Sequence, residues 1–169
     1  MAQPATDTTS ASDTARPAPT TPAPTTPTLT TQLIVLPWVD SVHGRAGHDP
    51  RSLYVEKYWL GILGPSTTLL LRRIARGFDD RPEGFAVSLV DTARALGLGE
   101  GTGRSSMVMR TVERACQFGM ARTGSSGELH VRTELPWLTP RQVSRLPEIL
   151  QRAHERDLDQ PRHDDLPAA

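Results

Sequence analysis

The sequence predicts a mainly α-helical fold with one small β-hairpin, preceded by a disordered tail. Apolar residues recur at helical spacing through residues 54–78 and 88–118, which is the pattern of amphipathic helices. Two short apolar runs joined by a Gly- and Ser-rich loop follow at residues 120–133, and they predict the hairpin. Residues 1–31 are almost entirely Thr, Pro, Ala, Ser and Asp, so they cannot bury enough apolar surface to fold.

These patterns divide the 169 residues into four segments. We expect a disordered Thr- and Pro-rich tail at 1–31, an extended segment at 32–53 and a packed domain at 54–146. Residues 147–169 are expected to hold the end of a C-terminal helix and an acidic tail. The extended segment contains LIVLPWV, an apolar run whose proline favours a short strand over a helix.

The first two helices of the packed domain are predicted on either side of Gly64. One begins near Tyr54, and the next begins at Pro65 or Ser66 because proline is favoured in the first turn of a helix. A turn and a very short strand at residues 85–87 follow. The inward side of the second helix is predicted to comprise Leu69, Leu70, Ile74 and Phe78.

A further pair of helices is predicted around the Gly-rich turn GLGEGTG. Ser88 and Asp91 have the spacing of a helix cap and its partner. Thr102 or Ser105 is expected to cap the next helix, and Gly119 to end it. The inward side chains of that helix are predicted to be Val108, Thr111, Val112 and Ala115. After the hairpin, a last helix is predicted to start near Pro140 and to break or kink at Pro147.

Charge is distributed unevenly along the chain. The whole sequence holds 19 basic and 19 acidic residues, whereas residues 51–145 hold 14 basic and 9 acidic ones, a net charge of +5. This excess is compatible with a polyanionic partner. The chain contains no apolar run long enough to span a membrane and no signal-peptide pattern at its start, so we expect a cytoplasmic location.

Catalytic, cofactor and metal signals are weak. The single cysteine, Cys116, allows no intrachain disulfide and is expected to be a small packed side chain. Asp40, His43, His48 and Asp49 are metal-capable, but their spacing matches no standard zinc pattern, and they are interpreted as turn residues. We therefore expect a protein that is not an enzyme, with no cofactor and no metal site.

Residues 66–146 resemble a winged helix-turn-helix domain in element order, spacing and core pattern. TARALGLG resembles the second helix and turn of that family, with Ala93 packed between helices, and RSSMVMRTVERACQFGMAR resembles its recognition helix running into the first wing strand. The resemblance implies a helix in the DNA major groove and a wing against the backbone or minor groove. Two departures are a longer, Gly-rich turn and a wing loop, TGSSGE, without Arg or Lys. The stretch YVEKYWLGILGPSTTLLLRRI is also similar to uncharacterised proteins of high-GC bacteria.

The candidate DNA-binding residues lie on or beside the predicted recognition helix, at about residues 104–118. Arg110 and Arg114 are one helical turn apart and suited to phosphates or a guanine edge. Glu113 opposes DNA binding there unless it pairs with one of these arginines. The full candidate set adds the start of the helix and the first wing strand: Arg104, Ser105, Ser106, Arg110, Arg114 and Arg122.

Two functional hypotheses follow. The first is a non-enzymatic protein that binds double-stranded DNA, a transcriptional regulator acting as a homodimer. The alternative is a winged-helix module for protein–protein interaction that does not bind DNA, which the neutral overall charge and the uncharged wing loop favour. Trp38, Trp59 and Trp137 fit either a packed core or a dimer surface.

Overall fold

The computed structural model of the protein describes residues 32–39 and 47–159. The predicted tail at 1–31, the metal-capable residues Asp40 and His43, and residues 160–169 lie outside the described residues. The described part has a mixed α/β fold.

Four strands form one sheet, so the predicted hairpin belongs to a larger unit. The strands are β1 (Gln32–Trp38), β2 (Phe85–Ser88), β3 (Ala121–Thr123) and β4 (Leu129–Arg132), arranged in the order β2-β1-β4-β3. β1 pairs antiparallel with β2 and parallel with β4, and β3 with β4 is the predicted antiparallel hairpin. The first seven residues of the segment expected to be extended, 32–53, therefore form an inner strand of the sheet.

The helices follow the predicted breaks closely. A π-helical stretch (Val55–Trp59) continues into α1 (Leu60–Leu63), and α2 (Pro65–Asp80) starts at the predicted proline after Gly64, whose φ is 80°. The remaining helices are α3 (Leu89–Ala95), α4 (Met107–Gln117), α5 (Pro140–Val143) and α6 (Glu148–Asp159). The break between α5 and α6 falls at Pro147, as predicted.

Two local predictions are wrong. The cap of α4 is Ser106 and not Thr102 or Ser105, because Ser106 has the extended backbone and its hydroxyl accepts the amide of Met109 at 3.4 Å. Leu69 does not face the core: it is 49% exposed, since the buried stripe of α2 runs through Leu71 and Ile74 on the other side of the helix. The predicted cap Ser88 is confirmed by its bond from the amide of Asp91, at 3.2 Å.

The core lies between one face of the sheet and the helices. Val35, Trp59 and Leu63 are almost fully buried in it, and Trp59 donates its indole N–H to the carbonyl of Pro136 at 3.0 Å. A smaller cluster joins α3 to α4 through Leu89, Ala93 and Val108. Ala93 is 0% exposed, which confirms the predicted small residue between these helices.

The last helix is attached to the π-helical stretch by polar contacts. The hydroxyl of Tyr58 donates to Oδ2 of Asp157 at 2.6 Å, and Nζ of Lys57 reaches the same oxygen at 3.0 Å. The hydroxyl of Tyr54 lies 2.7 Å from Nε2 of His154 and accepts the amide of Leu138. Burial alone would raise the pKa of Asp157, but the bonds from Tyr58 and Lys57 outweigh burial and hold it below its usual range.

The attachment of α6 is expected to be sensitive to substitution and to pH. Asp157→Ala should reduce the free energy of unfolding by about 1–2 kcal/mol, because the hydroxyl of Tyr58 loses its acceptor. The loss is no larger because the carboxylate of Asp157 is only partly shielded from water. A carboxylate with a lowered folded-state pKa stabilises fully above its unfolded-state pKa, about 4, and loses that contribution as pH falls through the folded-state pKa.

Urea denaturation of the wild type, Asp157→Ala and Asp157→Asn over a pH series checks this expectation. The difference between the wild type and Asp157→Asn should be constant near neutral pH and shrink below about pH 4. A difference that grows as the pH falls would contradict the role given to Asp157.

Candidate nucleic-acid interface

Helix α4 presents the two faces that its sequence predicts. Its inward side chains Val108, Thr111, Val112 and Ala115 are all buried, and the hydrophobic cluster of the core includes two of them. Its other face exposes Met107, Arg110, Glu113, Arg114 and Gln117. Of the two alternatives for Glu113, pairing with a neighbouring arginine is not found, since Glu113 forms no ion pair with any residue of the described part.

Arg114 binds the end of α1. Its Nε donates to the carbonyl of Leu63 at 2.6 Å, and an Nη donates to the carbonyl of Ile62 at 2.7 Å. These carbonyls are among the last of a helix that stops at Gly64, so the guanidinium satisfies acceptors that have no partner within the helix. The guanidinium carbon also lies 5.0 Å from the ring centroid of Phe118. Arg114 is therefore held in place while its positive charge stays at the surface.

A groove of about 260 Å³ lies beside this contact and brings α2 and α4 together. Arg110 and Arg114 line one side, and the first turn of α2, at Pro65, Ser66 and Thr67, lines the other. The backbone amides of Ser66 and Thr67 donate to no group among the described residues, and no side chain caps this helix. Free amides at the start of a 16-residue helix attract anions, and both arginines add to that attraction.

Three other candidates occupy the loop before α4. Arg104 and Ser105 are exposed, and Arg104 makes no hydrogen bond or ion pair with a described residue. The hydroxyl of Ser106 is used by the helix cap, although its own donor proton remains available. The Gly-rich turn leading to this loop places Gly97 and Gly99 at φ values of 67° and 79°, a conformation that side chains disfavour.

Arg122 lies apart from the other candidates, on the outer face of the sheet. Its guanidinium carbon lies 4.4 Å from the ring centroid of Trp38, and that of Arg132 lies 4.0 Å from the same ring. Arg132 also donates its Nε to the carbonyl of Gly119 at 2.8 Å. The indole therefore holds the two guanidinium groups close together.

The tip of the hairpin is acidic and not basic. Glu128 accepts the amide of Ser126 at 3.0 Å, and its Oε1 lies 3.3 Å from Nε2 of His130. Its own backbone N–H and then His130 hold the pKa of Glu128 below its usual range, so this carboxylate stays ionised at neutral pH. Contact of the hairpin with a polyanion is therefore favoured at Arg122, in the first strand of the hairpin, and not at its tip.

Reactive groups near this surface are few. Cys116 is half-buried, and burial raises the pKa of its thiol, so the neutral form predominates at neutral pH. Within residues 32–39 and 47–159, no group of three His, Cys, Asp or Glu side chains is placed to hold a metal ion. His48 is buried and stacked on Tyr54, with ring centroids 3.7 Å apart.

No protein-family model, curated protein or solved structure gives a significant match to this chain. Among the described helices, none is both long enough and apolar enough to cross a membrane. Function is therefore inferred from the residues and their geometry.

Two features of this surface could not be predicted from sequence patterns: the position of the start of α2 beside Arg110, and the contact between Trp38 and Arg122. Ser66 and Thr67 look like ordinary helix-start residues, and only the packing of α2 on α4 puts their amides next to Arg110. Trp38 is 84 residues from Arg122, and their contact depends on a sheet in which β1 lies beside β4. The Gly64-Pro65 break was a usable signal for an uncapped helix start.

The two arginines of the groove should respond differently to the same substitution. Arg114→Met should lower the free energy of unfolding by about 1–2 kcal/mol, because two charge-assisted bonds to the end of α1 are lost at a partly exposed site. Arg110→Met is the matched control: the side chain of Arg110 makes no hydrogen bond or ion pair with a described residue, so this substitution should change the free energy of unfolding by less than about 0.5 kcal/mol.

Urea unfolding of both variants, followed by far-UV circular dichroism, measures this difference. Equal losses for the two substitutions would show that the bonds of Arg114 contribute nothing to stability.

Proposed function

We propose that residues 66–146 form a winged helix-turn-helix domain and that the protein is a non-enzymatic transcriptional regulator that binds double-stranded DNA. The order α2-β2-α3-α4-β3-β4 supports this reading, because it is the order of three helices and three strands expected of that family. The buried Ala93 between α3 and α4 and the capped start of α4 also support it. Strand β1 is an addition, inserted between β2 and β4.

The observation that carries the proposal is the groove between α2 and α4. A DNA phosphate placed there would meet the free amide of Ser66 at the start of α2 on one side and the guanidinium of Arg110 on the other. Helix starts and arginines are among the commonest partners of DNA phosphates. With α4 anchored to the backbone in this way, its exposed side chains near Met107 and Arg110 would lie toward the major groove.

Arg104 and Arg122 would extend the same footprint. Arg104 precedes α4 and has no ionic partner among the described residues, so a phosphate can bind it without displacing an existing contact. Arg122, held over Trp38, would reach the backbone from the base of the wing. Together, Arg104, Arg110, Arg114 and Arg122 would make four arginine–phosphate contacts, which predicts binding that weakens steeply with salt.

Binding to random-sequence duplex DNA, measured by fluorescence anisotropy over a salt series, tests this function. Arg110→Gln should weaken binding roughly tenfold at low salt and lower the slope of log K against log salt by about 1, because one phosphate contact is lost. Arg110→Glu should weaken it further through repulsion. Arg141→Gln on α5, an exposed arginine that lines neither groove nor cavity, is the matched control and should change nothing.

Two results would count against DNA binding at this surface. Absence of binding by the wild type at low salt would leave protein interaction as the better function. Binding that Arg110→Glu leaves unchanged would place the contact elsewhere on the molecule.

The second candidate function is protein–protein interaction through the outer face of the sheet, and a second copy of the chain is the proposed partner. This face carries Ile34, Trp38, Ala86 and Arg122, and Ile34 is 48% exposed. Tryptophan and arginine are enriched in the energetically dominant parts of interfaces. The acidic hairpin tip at Glu128 also favours this reading over a wing that lies on DNA.

Sedimentation velocity of the full chain over a concentration series tests the homodimer. The wild type should form a dimer, and Ile34→Asp should shift the population toward monomer, because it places a charge in the middle of an apolar contact. Leu69→Asp, an equally exposed leucine on α2, is the control and should leave the dimer intact. A wild type that stays monomeric at every concentration would refute this assembly.

A further inference from the structure

A cavity of about 330 Å³ lies between the second half of α2, strand β2 and helix α3, away from the groove on α4. Its volume is at the lower end of the range found for small-molecule sites, roughly 300–1,000 Å³. We propose that this cavity binds a small organic anion with an apolar body, such as an aromatic carboxylate. The site is separate from the surface proposed for DNA.

The floor of the cavity is apolar. Leu70 and Ile74 from α2 and Phe85 and Val87 from β2 form it. The ring of Phe85 lies directly on Gly77, where a Cβ would overlap it, and meets Phe78 edge to face with ring centroids 5.5 Å apart. The floor is therefore held in shape by packing before any ligand arrives, which reduces the ordering that binding would require.

The rim is rich in arginine. Arg73, Arg76 and Arg81 line it together with a single carboxylate, that of Asp80. No side chain of the three arginines makes a hydrogen bond or ion pair with a described residue, and the neighbouring Asp79 is already bound by Arg51. Three unpaired positive charges around one carboxylate favour an anionic ligand over a neutral or cationic one.

A hydroxyl at the wall of the cavity adds a directional contact. Thr92 on α3 lines the cavity, and its hydroxyl makes no hydrogen bond with a described residue. A ligand in the cavity can therefore donate to this hydroxyl or accept from it without displacing an existing bond. The ligand that fits places its apolar body on Phe85 and its anionic group toward the arginines.

The cavity and the candidate DNA surface share helices. α2 begins at the groove and ends at the cavity, and α3 lines the cavity through Thr92 while packing on α4 through Ala93. A bound ligand would therefore contact the two elements that position α4. This regulatory consequence rests on the proposed DNA function, whereas ligand binding itself does not.

Titration of the full-length wild type with 1-naphthoate, followed by amide chemical shifts in ¹⁵N NMR spectra, tests the site without DNA. The expected shifts map to α2, β2 and α3. The uncharged isostere 1-naphthamide should bind roughly tenfold more weakly, as should 1-naphthoate to Arg73→Gln/Arg76→Gln, because charge-assisted hydrogen bonds are lost. The control Arg141→Gln/Arg145→Gln, with the same charge change on a surface outside the cavity, should bind like the wild type.

Thr92→Val is a second variant that keeps the shape of the side chain and all the arginines. It should weaken 1-naphthoate binding several-fold with little change in thermal unfolding, because only the unpaired hydroxyl is removed. Absence of binding at millimolar 1-naphthoate, shifts that map outside α2, β2 and α3, or equal binding of naphthoate and naphthamide would each overturn the proposal. Because no DNA is present, these outcomes are independent of whether the groove on α4 binds DNA.

Discussion

Pairing of β1 with strands on both sides is the constraint on which the rest of the structure depends. Among the described residues, only β1 connects β2 to the β3–β4 hairpin within the sheet. β2 leads into α3, and the hairpin follows α4. Val35 lies between Phe85 and Leu129 in register and is 0% exposed. The angle between the helix pair and the hairpin is therefore set by a strand that precedes both by about fifty residues or more. A chain that begins at residue 54 would lack β1, and the edges of β2 and β4 that pair with β1 would have no partner strand.

Local signals predicted most helix boundaries because those boundaries have local causes. Gly64 with Pro65, Ser88 with Asp91, and Pro147 each act within four residues of their own position. The inward face of α4 was likewise predictable from its 3.6-residue period. The sequence places the cap of α4 at Thr102 or Ser105 and not at Ser106, because serine and threonine have similar capping propensities and only the backbone conformation selects Ser106.

Long-range contacts were not predictable in this way. The parallel pairing of β1 with β4 joins residues about 94 positions apart, and no short pattern encodes such a register. For the same reason the sequence predicts a free surface arginine at position 114, whereas the guanidinium of Arg114 binds carbonyls about 51 residues away. The candidate site combines both cases. Its arginines can be recognised in the sequence, whereas the grouping of Ser66 and Thr67 with Arg110 depends on the packing of α2 on α4.

The helix break at Gly64 has a consequence for the rigidity of the surface. It places the carbonyl end of α1 and the amide end of α2 side by side, so two opposite partial charges occupy neighbouring positions. The carbonyl end binds Arg114 and thereby ties α4 to α1, and the amide end remains open next to it. The position of α4 is consequently fixed by the hydrogen bonds of Arg114 to the end of α1 as well as by the packing of its apolar face. Because α4 is already ordered before a partner binds, binding costs little further conformational entropy. More of the free energy of the contacts therefore contributes to affinity.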